Sequence, residues 1–148
     1  MNILISMCLL GASCRYDGRP GKLADLEKLQ GHCLIPVCPE QLGGLPTPRL
    51  PSECRGGRVI MCDGTDVTAQ YRRGAEETLR LAKRCGCRVA VLKRKSPSCG
   101  SGEIYDGSFT RTLVPGWGVT ARLLRENGIA VYDETQLEQL AAQILKKT

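Results

Sequence analysis

Val89-Ala-Val-Leu-Lys-Arg-Lys-Ser-Pro-Ser-Cys-Gly100 joins a continuous apolar run to a polar turn that carries a cysteine. An unbroken apolar run of this kind predicts a buried strand of a parallel sheet. Pro97 fixes its own φ and pushes Ser96 toward an extended conformation, and Gly100 accepts backbone angles closed to other residues. The turn is therefore stiff and presents Cys99. Two other apolar runs end in the same way: Asn2-Ile-Leu-Ile-Ser-Met-Cys8 leads into Leu-Leu-Gly11, and Cys33-Leu-Ile-Pro-Val-Cys38 leads into Pro39-Glu40. In open α/β sheets ligands bind beyond the carboxyl ends of the strands, and all three cysteines fall there.

Working outward, Ile3 to Met7 reads as the first strand, followed by the turn-rich loop Gly11 to Gly18. A short helix runs through Leu23, Leu26 and Leu29 and stops at Gly31. Leu34 to Cys38 is the second strand, parallel to the first. Pro39 to Pro51 holds four prolines and two glycines, which excludes both helix and inner strand, so it reads as an ordered loop forming one wall of a site. Arg58 to Cys62 belongs to a small hairpin. The longest helix opens near Thr65 or Asp66, buries Ala75, Leu79 and Ala82, and ends at Gly86. After Cys99 come a glycine-rich loop from Gly102 to Trp117, a helix from Val119 to Glu126, a strand from Ile129 to Tyr132 and a closing helix from Glu134 to Lys147. This alternation predicts one α/β domain over residues 1–148, a three-layer sandwich with a mainly parallel, Rossmann-like sheet.

The chain has 148 residues, nine cysteines and a formal net charge of +6. Its basic residues are scattered and not interleaved with aromatics, so no nucleic-acid polymer is expected as partner, only a preference for anionic ligands. No segment is long and apolar enough to span a bilayer and no export signal precedes Ile3, so a cytoplasmic protein is expected. The sequence leaves the oligomeric state open. Nine is an odd number, which argues against a closed disulfide framework and for metal binding or thiol chemistry.

Three strand-end thiolates suit zinc or an iron-sulfur cluster. Cys62 precedes the Asp63-Gly64 turn in the same manner and is the rival ligand. Cys85-Gly86-Cys87 reads as a solvent-side turn, Cys33 and Cys54 as structural, and His32 as a surface residue. Among the acids, Glu40 lies two residues past Cys38 and Asp17 sits in the first loop; either is a candidate general base or a loop-ordering hydrogen-bond acceptor. Ser96 and Ser98 are candidates for orienting substrate or the sulfurs of a cluster.

Ser6-Met-Cys-Leu-Leu-Gly11, Cys14-Arg-Tyr-Asp-Gly18, Pro36-Val-Cys-Pro-Glu-Gln-Leu-Gly-Gly-Leu-Pro46 with Pro48-Arg49, Gly64-Thr-Asp-Val-Thr68, Lys93, Ser96-Pro-Ser-Cys-Gly100 and Tyr105-Asp-Gly107 follow one another along nearly the whole chain. In these pieces the chain resembles the thiouracil desulfidase family. The resemblance implies a [4Fe-4S] cluster held by three cysteines at the positions of Cys8, Cys38 and Cys99, with one iron open. It also implies non-redox removal of sulfur from a thiocarbonyl substrate, a small thiolated base or thioamide such as 2-thiouracil, with release of sulfide. A fourth thiolate from Cys62 or Cys14 would close that iron. Two other classes compete: a noncatalytic iron-sulfur or zinc protein, and a thiol-based sulfur carrier.

Overall fold

The computed structural model describes residues 1–20 and 25–147. Its centre is a four-stranded parallel sheet of β1 (Asn2–Ser6), β2 (Cys33–Val37), β5 (Val89–Leu92) and β8 (Ala130–Asp133), in the order β2-β1-β5-β8. Ile3 pairs with Leu34 on one side and Val89 on the other, so β1 is flanked along its length. Side chains alternate across the sheet. Ile3, Ile5, Val89 and Val91 face Leu29 and the closing helix α4 (Leu137–Lys147), whereas Leu4, Ala90 and Leu92 face the other helical layer. That layer is α2 (Thr68–Arg84) and α3 (Val119–Glu126), which contribute Ala82, Ala121 and Leu124. Two apolar clusters on opposite faces make the three layers the alternation predicts.

Two hairpins sit outside the sheet. One is β3 (Ser52–Arg55) with β4 (Arg58–Met61), turning at Gly56-Gly57, so the strand expected over Arg58 to Cys62 is the second arm of a small hairpin. The other, β6 (Ser101–Tyr105) with β7 (Leu113–Trp117), replaces the expected loop from Gly102 to Trp117. Its strands carry two glycines and a proline, which mask the alternation that marks a strand. Pro39 to Pro51 also departs from expectation, because Pro39–Leu42 forms the single-turn helix α1. Proline is excluded from helix interiors, but at the first position its missing N–H has no intrahelical partner to lose. Near the amino end, Leu26–Leu29 is a 3₁₀ helix, and Leu23 lies outside the described residues. The closing helix begins at Leu137 and not at Glu134, because the preceding residues form a turn in which the Gln136 side chain accepts the Asp133 amide.

The position of α1 is set by glycine. A Cβ on Gly43 would lie 2.0 Å from the Gln70 carbonyl oxygen, and one on Gly74 would lie 2.0 Å from that of Pro39. The backbones of α1 and α2 therefore touch directly, and the residues around Cys38 are registered against the longest helix.

Candidate metal and substrate site

Cys8, Cys38 and Cys99 follow β1, β2 and β5, and all three are buried. In sheet order the connections reverse between β1 and β5, the crevice where ligands of doubly wound folds bind. The three thiols line one cavity of about 500 Å³. Cys8 sits in the 3₁₀ turn Met7–Leu10, Cys38 immediately precedes α1, and Cys99 occupies the turn after β5.

The Cys99 turn is built by its own residues. The Ser96 hydroxyl accepts the N–H groups of Ser98 at 3.0 Å and Cys99 at 3.1 Å. The Pro97 carbonyl accepts from Val119, and that of Ser98 from Thr120 and Ala121, so this turn satisfies the first amides of α3 in place of a side-chain cap. Ser96 lines the cavity. Ser98 does not: it is fully buried, with its hydroxyl 2.8 Å from that of Thr120. Ser98 is thus placed to hold the turn and Cys99, away from the cavity. Asp17 is also outside the cavity, exposed and engaged with Arg15 and the Arg19 amide, while its neighbours Arg15 and Tyr16 line the cavity.

Glu40 lines the cavity from α1. Its Oε2 accepts from Arg49 Nη2 at 2.6 Å, and the Arg49 side chain is 2% exposed. The same guanidinium donates to the carbonyls of Pro46 and Cys14 and to the Thr47 hydroxyl. One planar fork thus ties the proline-rich loop, the first loop and the acid together. Arg49 carries no site signal in the sequence beyond its place after Pro48.

Burial and the Glu40 charge both act on the thiols. Burial is the main cause that pushes Cys8 up to about 11, and the Glu40 carboxylate is the next. The same two causes, in the same order, raise Cys38 and hold Cys99 well above its ordinary range. Glu40 and the three thiols line the same cavity. Hydrogen bonds from Ser6 and Ser98 act the other way on Cys99, and Lys93 does so on Cys8. These thiols stay protonated at neutral pH until a thiophilic metal displaces the protons.

The other cysteines sort by position. Cys14 is buried beside Cys8 and Cys38, lines the cavity and is pushed up to about 12, chiefly by burial. Cys62 is exposed and absent from the cavity lining. Cys54 packs partly buried near Val59, and Cys33 is exposed. Cys87 is buried in the apolar layer over the sheet, which corrects the solvent-side reading of that turn.

Three of the four tyrosines (Tyr16, Tyr71, Tyr105) and the single phenylalanine, Phe109, line the cavity in a chain that is poor in aromatics. Arg15, Lys93, Arg94, Lys95 and Arg111 supply positive charge around them. The surroundings suit a small planar ring and a negative charge that develops on it.

A doubly wound α/β domain with three converging cysteines, an acid held by a buried arginine and an aromatic cavity defines a thiolate-centred site of enzymatic type. The donor set is all sulfur, on separate strand ends, which fits an iron-sulfur cluster held by cysteine thiolates. The chain belongs to the 2-thiouracil desulfurase family, whose model matches residues 3–136. The uncharacterized protein YbbK of Bacillus subtilis (strain 168) is 40% identical over 149 residues, spanning 93% of this chain and 99% of its own. A solved structure of the [4Fe-4S]-dependent thiouracil desulfidase TudS is 47% identical, covers 97% of each chain and superposes with a TM-score of 0.91.

Proposed function

We propose that the protein is a [4Fe-4S]-dependent desulfidase that exchanges the sulfur of a small thiolated heterocycle such as 2-thiouracil for the oxygen of water, releasing sulfide. The observation that carries this reading is the convergence of Cys8, Cys38, Cys99 and Glu40 on one aromatic cavity. Family membership and the likeness to TudS support it.

Cys8, Cys38 and Cys99 hold the cluster in this reading, and Cys14 remains a protonated neighbour of Cys38. When bound, the cluster supplies a Lewis-acidic iron that the protein leaves open to a soft sulfur ligand. The chain's own residues do the rest. Tyr16, Tyr105 and Phe109 orient the ring. Glu40 removes a proton from the attacking water, because water is a weak nucleophile near neutral pH without a positioned base. Arg49 fixes that carboxylate through Oε2. Lys93, itself held by Glu134 at 2.7 Å, adds positive charge to the cavity wall. The overall change is thiocarbonyl plus water to carbonyl plus hydrogen sulfide, with no electrons gained or lost.

The test is anaerobic reconstitution followed by iron and acid-labile sulfide analysis, then incubation with 2-thiouracil. About four irons and four sulfides per chain are expected, with uracil and sulfide formed in equal amounts. A fully loaded protein that releases no sulfide from thiouracil or any other thiolated pyrimidine would overturn the desulfidase reading.

A further inference from the structure

Glu53 lies on β3, on a different element from every group used above. It is 9% exposed, and no salt-bridge partner accompanies it among the described residues. Burying a carboxylate without a counter-charge is expensive unless hydrogen bonds replace its water. Its Oε1 accepts two backbone N–H groups, from Gly107 at 3.0 Å and Phe109 at 3.1 Å. Both belong to the 106–112 loop of the β6–β7 hairpin. Two residues on, on the same face of the strand, Arg55 donates to the Gly107 carbonyl.

That loop is held in a conformation it would not adopt alone. Phe109 and Arg111 have φ of 58° and 60°, the left-handed region that L side chains rarely occupy. Such residues persist where the surroundings over-determine them. Gly107 shares this sign of φ, and a Cβ there would lie 2.8 Å from the Cys54 carbonyl oxygen, so the loop is pressed against β3. Phe109 and Arg111 both line the cavity, and Glu53 lines it beside them.

We propose that Glu53 is a positioning residue for substrate selection: by accepting the Gly107 and Phe109 amides it fixes Phe109 as the face on which a planar thiolated ring stacks. The proposal rests on the desulfidase reading for the identity of the ring and on the structure alone for the loop. It makes ring affinity depend on a carboxylate that acts through the loop it holds. Removing it frees the loop to relax away from the left-handed conformation, and the stacking face is lost while the thiols and Glu40 stay in place.

The experiment compares Glu53→Ala, Glu53→Gln, Phe109→Ala and the double variant E53A/F109A in cluster-loaded protein. Two things are read: amide hydrogen exchange across 106–112 without substrate, and the separate KM and kcat for 2-thiouracil. In Glu53→Ala the loop amides should exchange at least about tenfold faster, and KM should rise about tenfold with kcat within about threefold, the scale of losing one base-aromatic stack. Glu53→Gln keeps an acceptor oxygen and should restore both. The double variant should be no weaker than Phe109→Ala alone, since both changes remove one interaction. If Glu53→Ala does not fold, Glu53→Asp, which draws the carboxylate back by one methylene, should show the same exchange and KM changes at smaller size. Unchanged exchange in the 106–112 loop, or E53A and F109A effects on KM that multiply, overturns the proposal. Because exchange is read without substrate, a protein inactive on thiouracil would sink the desulfidase reading while the loop's role is still decided.

Discussion

Arg49 donates to Glu40 at 2.6 Å from a guanidinium that is almost wholly buried, and the same fork reaches the carbonyl of Cys14. The acid beside the thiols is thus positioned from a residue nine places further along the chain. Breaking a buried pair by removing one partner costs about 3–5 kcal/mol, because the remaining charge is left uncompensated. Arg49→Met should therefore lower the denaturation midpoint strongly. Arg49→Lys keeps the charge but loses the fork, so it should fold better yet release sulfide about tenfold to a hundredfold slower, as expected for a misplaced catalytic group. Thermal unfolding and sulfide release on cluster-loaded variants check both.

Glu40→Gln separates charge from shape. It keeps an oxygen for Arg49 and the length of the side chain, so cluster content and thiouracil binding should be retained. Sulfide release should fall by about two to four orders of magnitude, the usual worth of a positioned acid or base. A rate near wild type, with cluster content verified, would remove Glu40 from the mechanism. Asp17 does not stand in its place, since it lies outside the cavity.

The three strands that lead to Cys8, Cys38 and Cys99, and the convergence of those cysteines, were legible because each apolar run breaks at a cysteine followed by a turn, a pattern written in consecutive residues. Pairings across the chain were not. Nothing near Arg49 announces that it will meet Glu40, and nothing near Glu53 announces the amides of Gly107 and Phe109. Cys62 obeys the same local grammar as the site cysteines yet is exposed, because it ends a hairpin strand and not a strand of the central sheet. The one-turn helix at Pro39 is hidden for a related reason: proline marks both a broken helix and the start of one, and only the contact of Gly43 with α2 decides between them.

That contact gives a prediction whose sign is diagnostic. Gly→Ala inside an exposed helix normally stabilises by about 0.5–1 kcal/mol. At Gly74 the added methyl would meet the Pro39 carbonyl, which no side-chain rotation relieves. Gly74→Ala should instead destabilise by about 1–3 kcal/mol or more, and it should lower iron retention because Pro39 adjoins Cys38. Denaturant unfolding and iron content measure the two effects.

The raised thiol values predict the alkaline behaviour of metal-free protein. Cys8 at about 11 and Cys14 at about 12, against an ordinary 9.0, mean that the folded chain keeps protons the unfolded chain releases. Their contribution to stability is complete below about pH 9 and is lost as pH rises through the folded values, at about 1.4 kcal/mol for each pH unit separating the unfolded value from the folded one. The melting temperature of anaerobic, metal-free protein should fall between about pH 9 and about pH 11, and Cys14→Ala should flatten the fall. Loaded protein, whose ligating thiols have already lost their protons, should show a shallower decline. Equal slopes in wild type and Cys14→Ala would show that this thiol is not what titrates.

The ligand set is the prediction on which the open iron depends. Three thiols follow three adjacent strands and line one cavity, so a centre built on Cys8, Cys38 and Cys99 has no spare ligand. Changing any one of them to Ser should lose most of the iron. Cys62→Ser should retain it, because Cys62 is exposed and away from the cavity. The discriminating case is Cys14, the fourth buried thiol in the cavity lining, packed beside Cys38 and Cys8. With three ligands sufficient, Cys14→Ala should keep about four irons per chain and still release sulfide, since a vacant iron is what a soft substrate needs. Loss of iron in Cys14→Ala as complete as in Cys38→Ser would mean a four-thiolate centre with no open position. In that event sulfur removal could not proceed at an iron without first displacing a thiolate. Iron and acid-labile sulfide analysis of these single variants, loaded side by side under anaerobic conditions, decides between the two centres.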